Sequence, residues 1–584
     1  MFDFLRKKSY TLSSVERLIL SNSNDCQVVG FCNLAKQEYT PHVCALKGFC
    51  YEFGVGTTPD PNLAETHYIR AANDYHPLAL IRLIFLRRFG RPNIRIDRRE
   101  ANHYMSILNT LKEPLLFLEK ATTLNNPHAL YVLGTCFHDA LGTVKDPSRA
   151  VVLYQQAALQ DHPPSISILA FCYLEGFGVV KDEDKAYELY TRAASFNDSV
   201  ALYNLGYLYE EGRGVQKDCS KAFLLYKQSA DLGNPFGMNS LAFCYEEGIG
   251  CTKDEGKAFS LYKKSAEQGY PWAQSNLAYC YQRGIGTKVD YTRSCHWYKR
   301  AAHQNLSRAQ HNLGHCYQQG LGVKKDEGLA VIWYKKAAAL GNVYAYHSLG
   351  NCFANGSGVK KNEEDAVKYY TLAAKDNFVP SLISLSFCYR MGTGISRNAE
   401  LCFENMKKAA HLGNSYAQNC LGFFYEEGFG CPKNIEDALL WYQKSADQNN
   451  AWAQTNLGNI YFEGVSVRMD REKAVSLFQQ AIQQEHTRAL NKMGYCYEEG
   501  IVVNKNPNKA FSCYFKASLR GYSRSHYNVG RCYENGIGVF KDIDTSLVYF
   551  YRGSFCGDFR AKERMKKVLV SFIRYENREY SRCA

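Results

Sequence analysis

The sequence contains no apolar run approaching the roughly 20 residues that a bilayer-spanning helix needs, so no membrane span is expected. Its 22 cysteines include no CxxC pair and no cysteine/histidine cluster with zinc-ligand spacing. The opening residues, Met1-Phe2-Asp3-Phe4-Leu5-Arg6-Lys7-Lys8, lack the apolar stretch of a secretory signal. The closing Ser581-Arg582-Cys583-Ala584 sets its cysteine too near the end for a prenylation box. Charge of either sign is in small excess: a net +13 over 584 residues does not by itself call for nucleic acid or membrane. Tryptophan is scarce, five against 43 tyrosines, which suggests one template used many times. These absences predict a soluble, cytoplasmic protein with no metal and no cofactor.

What is present is one string, repeated. The aromatic of L-G/A-x-C-Y falls at Phe137, Tyr173, Tyr209, Tyr245, Tyr281, Tyr317, Phe353, Tyr389, Tyr425, Tyr461, Tyr497 and Tyr533, each step 36 residues. An earlier copy at Tyr51 precedes Phe137 by 86 residues, two periods plus fourteen. A degenerate copy over Leu78–Thr123, with an insertion near Met105–Leu118, accounts for the surplus. Ten cysteines, from Cys50 to Cys532, stand immediately before the aromatic and have no second column to pair with. They read as small, packed, free thiols.

Counted from the aromatic, position +9 is Asp or Asn in all thirteen copies, from Asp60 to Asp542. Such side chains cap a helix by accepting from its first free amides, and Pro61, Pro147 and Pro507 follow where no donor is needed. A small residue four on and an aromatic four further, as in Ala258 and Tyr262, give this second helix, B, one apolar face. The first helix, A, carries Ala, Leu and the aromatic at −8, −4 and 0, for instance Ala273, Leu277 and Tyr281. These read as its core columns, so truncating Tyr281 or Tyr317 is expected to cost roughly 3 kcal/mol or more. Gly284 and Gly286 exemplify two loop glycines, the first leaving helix A with positive φ and the second loosening the turn. Neither helix can bury its face alone, so stability must come from stacking.

At these residues the chain resembles the Sel-one-like repeat (SLR) family, kin of tetratricopeptide repeats. Tyr203-Asn204-Leu205-Gly206-Tyr207-Leu208-Tyr209-Glu210-Glu211-Gly212-Arg213-Gly214-Val215-Gln216-Lys217-Asp218 is a near-consensus copy, and Ala330 to Ala338 supplies a matching helix B. The resemblance implies an all-α right-handed superhelix of about 13–14 two-helix repeats, with A helices lining a concave groove. It divides the chain into an N-terminal helical cap (1–38), two N-terminal repeats (39–127), twelve regular repeats (128–556), and a capping helix with a short tail (557–584). It also implies a non-enzymatic scaffold or adaptor, in some relatives one that serves a signalling or cell-wall-synthesis enzyme of the chitin synthase type.

Helix-A positions −5, −2 and +2 share one stripe. It includes Asn204, Tyr207 and Glu211; Asn276, Tyr279 and Arg283; Asn312, His315 and Gln319; Asn456 and Glu463; and Asn528 and Arg531. Amides beside aromatics suit an extended peptide; the same asparagines could equally serve the neighbouring repeat. The sequence offers two rival sites. Arg82, Arg87, Arg88, Arg91, Arg95, Arg98 and Arg99 could form a basic patch for RNA or an acidic partner, although interleaved apolar residues favour a decayed amphipathic repeat. Ser260-Leu261-Tyr262-Lys263 matches the Ser-x-x-Lys of a hydrolase family, without any accompanying motif. The basic pairs that end B helices, such as Lys299-Arg300 and Lys335-Lys336, read as a solvated face. A protein or peptide partner is therefore expected, with neither a small-molecule substrate nor nucleic acid.

Overall fold

The computed structural model describes residues 12–21, 23–90, 94–464 and 467–570. Among them the regular elements are helices, arranged as tandem A/B pairs, and no strand occurs. Two compact units result, Met1–Asn342 and Val343–Ala584.

Local chemistry sets each pair. All thirteen +9 residues cap a B helix, each side chain accepting a backbone amide; Asp290, for example, accepts from Arg293. The cap's own amide donates back to the carbonyl of the aromatic, Asp290 N to Tyr281 O at 2.8 Å, which closes the loop between A and B. The first loop glycine takes the left-handed conformation, Gly284 at φ +77°. The second does more than loosen a turn. A Cβ on Gly286 would lie 2.1 Å from the carbonyl oxygen of Glu255, at the start of the preceding B helix, so this glycine is where consecutive repeats touch.

The two aromatic columns differ in burial. The B-helix tyrosines are sealed: Tyr262 and Tyr298 are fully buried, and their hydroxyls donate to Glu246 at 2.7 Å and Gln282 at 3.1 Å. That acceptor is the residue just after the A-helix aromatic, a column the sequence reading passed over. Burial, reinforced by Glu246, drives the Tyr262 phenol far above its ordinary pKa. Small A-helix residues make room: a Cβ on Gly314 would sit 2.7 Å from the Tyr334 ring. The A-helix aromatics are mostly half-buried, among them Tyr245, Tyr317 and Tyr461. They lie at the A/B loop beneath the third residue of helix B, as with Lys257 5.2 Å above Tyr245 and Lys473 4.0 Å above Tyr461. Tyr281, at 6% exposed, is an exception, so the expected core role holds there and not at Tyr317.

The ten column cysteines are buried thiols outside any disulfide. Burial pushes the Cys280 thiol up to about 12 and that of Cys496 to about 11, which keeps both protonated and unreactive.

The degenerate copy is a helix pair, Pro77–Phe89 and Arg98–Leu108. Arg87 stands in the aromatic column, and Asp97 N donates to its carbonyl at 2.8 Å as a regular cap does. Leu116–Thr122 adds a further short helix before Pro127–Asp139 opens the next pair. At the other end a helix covers 559–570, with Ala561 and Val568 buried against the last repeat and Leu569 exposed.

Candidate functional site

Every residue of the sequence-predicted stripe lies on an A helix and is half-buried or exposed. Positions −5 face the preceding repeat. Asn276 donates to Asn239 at 3.0 Å, Asn456 to Asn419 at 3.1 Å and Asn528 to Asn491 at 2.8 Å. Arg488 in turn donates to the Asn456 oxygen at 3.1 Å. These amides thus form an inter-repeat ladder, and their peptide-binding capacity is partly consumed by it. Arg531 is likewise engaged, bonding Glu498 at 2.5 Å.

The outer half of the stripe is open. Glu211, Arg283, Gln319 and Glu463 are exposed, with Lys492 3.2 Å from Glu463. Tyr207, Tyr279 and His315 are half-buried between them. Burial, with Arg283 nearby, holds the His315 imidazole below its usual pKa and hence neutral at physiological pH.

The same stripe continues one turn further toward the helix start, to position −9, which sequence reasoning missed. It holds Trp272, Tyr344, Tyr416 and Trp452, exposed by 45, 60, 42 and 55%. In the second unit Phe387, Met391 and Phe423 are also exposed, Phe387 packing on Tyr416 with ring centroids 6.5 Å apart. The signal was available: these aromatics recur at multiples of 36, four residues before the −5 column. They fell outside the reading because it began the stripe at the conspicuous asparagines.

The arginine-rich segment is not one surface patch. Arg82 is 0% exposed, bonded to Glu52 at 2.9 and 2.5 Å and ringed by Phe53, Phe85 and Tyr131. Arg87 is buried between Glu65 and Glu100. Arg88 is half-buried 3.9 Å from Asp139, whereas Arg95, Arg98 and Arg99 are exposed. Arg91 lies outside the described residues. The correction has a simple cause: a helix face that replaces apolar residues by arginine still faces the core, and carboxylates of neighbouring helices follow it in. Ser260 and Lys263 are exposed on a B helix, Lys263 4.0 Å from Glu267.

No helix of the described residues is long and apolar enough to cross a membrane. Among those residues no group of three or more His, Cys, Asp or Glu side chains could hold a metal ion.

A family model for the Sel1 repeat matches residues 44–76, 127–162, 163–195, 199–234, 235–270, 273–306, 307–342, 343–378, 379–414, 415–450, 453–486, 487–522 and 523–554. No curated protein matches the sequence. Among solved structures, c5321, a protective antigen of uropathogenic Escherichia coli strains displaying an SLR fold, is 28% identical. It aligns over 72% of this chain and 90% of its own, with a TM-score of 0.57. A Sel1 repeat protein from Oxalobacter formigenes is 30% identical over 42% of this chain and 96% of its own, with a TM-score of 0.38.

Proposed function

The chain belongs to the Sel1 repeat family, whose solenoids are generally protein-interaction scaffolds, and on that footing we propose that it is a non-enzymatic scaffold gripping a protein segment on its A-helix face. The observation that carries this reading is the exposed aromatic row at −9. Large aromatic rings left in water at a recurring position need a reason, because the fold could bury or replace them. The far end of the same stripe supplies polar definition, as Glu427 and Glu463 are exposed at position +2, about three turns along the helices from Tyr416 and Trp452. The segment that fits is extended or helical, with aliphatic or aromatic anchors and a lysine or arginine beside them. In the second unit Phe387, Tyr416 and Trp452 provide the anchoring surface. In the first, Trp272 with Asn276, Tyr279 and His315 does so.

Selection of random peptides on the immobilised full-length protein tests this. Recovered sequences should share apolar anchors with a basic residue. Alanine at Phe387, Tyr416 and Trp452 should weaken their binding at least tenfold, while alanine at Lys335 and Lys407 on B helices should not. No enrichment, or equal loss from the two sets, would remove the A-helix face as the site.

A further inference from the structure

The exposed part of the arginine-rich segment meets a remote part of the same unit. The Ile96 amide donates to the Gln268 carbonyl at 2.8 Å. Gly269 beside it has φ +92°, and a Cβ there would lie 2.4 Å from the Ile96 carbonyl oxygen, so the segment is seated tightly. The contact carries Arg99 to the ends of two further B helices, Tyr291–His303 and Glu327–Ala339. A cleft of about 400 Å³ lies between them, lined by Arg99, His303, Asn305, Gln310, Trp333 and Lys336, with no acidic residue in its wall. That volume falls within the range usual for small-molecule sites, about 300–1,000 Å³.

Two observations in this cleft point to a ligand. The first is charge of one sign lining the cleft. Lys264, Arg300 and Lys336 occupy one column of three successive repeats, and the docked segment sets Arg95 and Arg99 against that column; Asp97 and Glu267 offset Arg300 and Lys264, but no carboxylate lines the cleft at Arg99 and Lys336. Burial, then Arg99, Lys299 and Lys336, depress the pKa of His303, which places three cations around one imidazole. Like charges gathered across a contact repel, and an anion would relieve them. The second is an orphaned acceptor. Gln310 is buried; its Nε2 donates to the Ala302 carbonyl at 3.2 Å, but its Oε1 has no partner. A donor on the ligand would satisfy it.

We propose that this cleft binds a small phosphorylated molecule bearing hydroxyl groups. Its phosphate is held by Arg99 and Lys336 beside His303, and a hydroxyl donates to Gln310 Oε1. Arginine's planar fork suits two phosphate oxygens and lysine adds a point charge. This site is independent of the A-helix face and is built from the B-helix basic column that the sequence reads as a solvated face and from the arginine-rich segment that it reads as a decayed amphipathic repeat.

Calorimetric titration of the full-length chain at low salt with inorganic phosphate, pyrophosphate and glucose 6-phosphate tests it. One saturable site should appear, and glucose 6-phosphate should bind several-fold tighter than phosphate. Arg99→Ala and Lys336→Ala should each weaken binding at least tenfold. Lys408→Ala, in the same column of the second unit, should leave it unchanged. Arg99 and Lys336 are exposed, so both variants should melt as the parent does; if Arg99→Ala does not, Lys336→Ala decides. The proposal falls if none of the three probes saturates, or if Lys408→Ala weakens binding equally. It falls too if a single-stranded oligonucleotide binds instead with a steep salt dependence spread over many lysines.

Discussion

Arg82 and Arg564 occupy the same repeat position near opposite ends of the chain, and each bonds the same column of the repeat before it. Arg82 reaches Glu52, and Arg564 reaches Glu534 at 2.9 and 2.8 Å. Glu52 and Glu534 both follow an A-helix aromatic, Tyr51 and Tyr533. The surroundings are opposite. The Arg82 side chain is 0% exposed under Phe85 and Tyr131, whereas the Arg564 side chain is 42% exposed at the end of the described helices. Repeat geometry therefore fixes who meets whom, and burial alone fixes what the meeting is worth.

The comparison breaks most visibly at Arg82. Removing its guanidinium strips the buried Glu52 of its cation while the Tyr68 hydroxyl still donates to it, so Arg82→Ala should cost about 3–5 kcal/mol. Chemical denaturation with hydrogen exchange over 41–139 would register it. A paired replacement, Arg82→Met with Glu52→Gln, should recover most of the loss, since Tyr68 keeps an acceptor and no charge is stranded.

Next comes an uncharged donor to the same acceptor column, the B-helix tyrosine hydroxyl. Tyr262→Ala should cost about 3–5 kcal/mol, as a large buried ring is lost. Tyr262→Phe should cost about 1.5 kcal/mol, since the Glu246 carboxylate loses its donor. The half-buried Tyr245 should lose less than Tyr262 on truncation to alanine. Thermal melts of the three variants rank them, and a larger loss at Tyr245 than at Tyr262 would reverse the assignment of the core column.

Much of this was legible in the sequence. The caps could be read because an aspartate at a helix start acts on its own backbone, within three residues. The degenerate copy over Leu78–Thr123 is legible only from the surplus length and not from its own motif, because Arg87 replaces the diagnostic ring while keeping its backbone bond, and no local rule expects a buried arginine. The −5 asparagines were visible as a column, but whether an amide faces solvent or the next repeat depends on helix spacing. The seating of Ile96 on Gln268 was beyond reach, since it joins residues 172 apart through the accumulated turn of intervening repeats.

A third effect follows from acid. In the first repeats two of the inter-repeat polar contacts are histidine pairs, His42 with His76 and His128 with His162, each 3.0 Å apart and joining positions −9 and −11, apart from the −5 asparagine ladder of later repeats. Burial lowers His76 and His128 to about 4. Unfolded histidine titrates near 6.5. Above that pH neither state takes up a proton and nothing is lost. Between about 6.5 and 4 the unfolded chain is protonated and the folded one is not, so stability falls with pH, and below 4 the loss levels off. At pH 5 each should have cost about 2 kcal/mol. Hydrogen exchange at pH 7 and 5, corrected for intrinsic rates, should show 41–162 loosening before 271–342, and His128→Asn should reduce the difference.

The smallest effect belongs to Arg564, and it makes the sharpest test because the contact looks so much like the largest. Its two bonds to Glu534 have sound geometry, and a ledger based on hydrogen bonds alone would rank it with Arg82. Two features argue otherwise. The guanidinium is largely solvated, so water replaces most of what Glu534 supplies. The column's usual second partner is also missing, because Phe550 stands where a B-helix tyrosine would donate a hydroxyl. Arg564→Ala should therefore cost no more than about 1 kcal/mol, and less as salt is raised. Glu534→Gln should behave alike, while Glu52→Gln should not. Equal destabilisation by Arg564→Ala and Arg82→Ala, measured at one salt concentration in the full-length chain, would mean that repeat position and not burial sets the strength of these pairs.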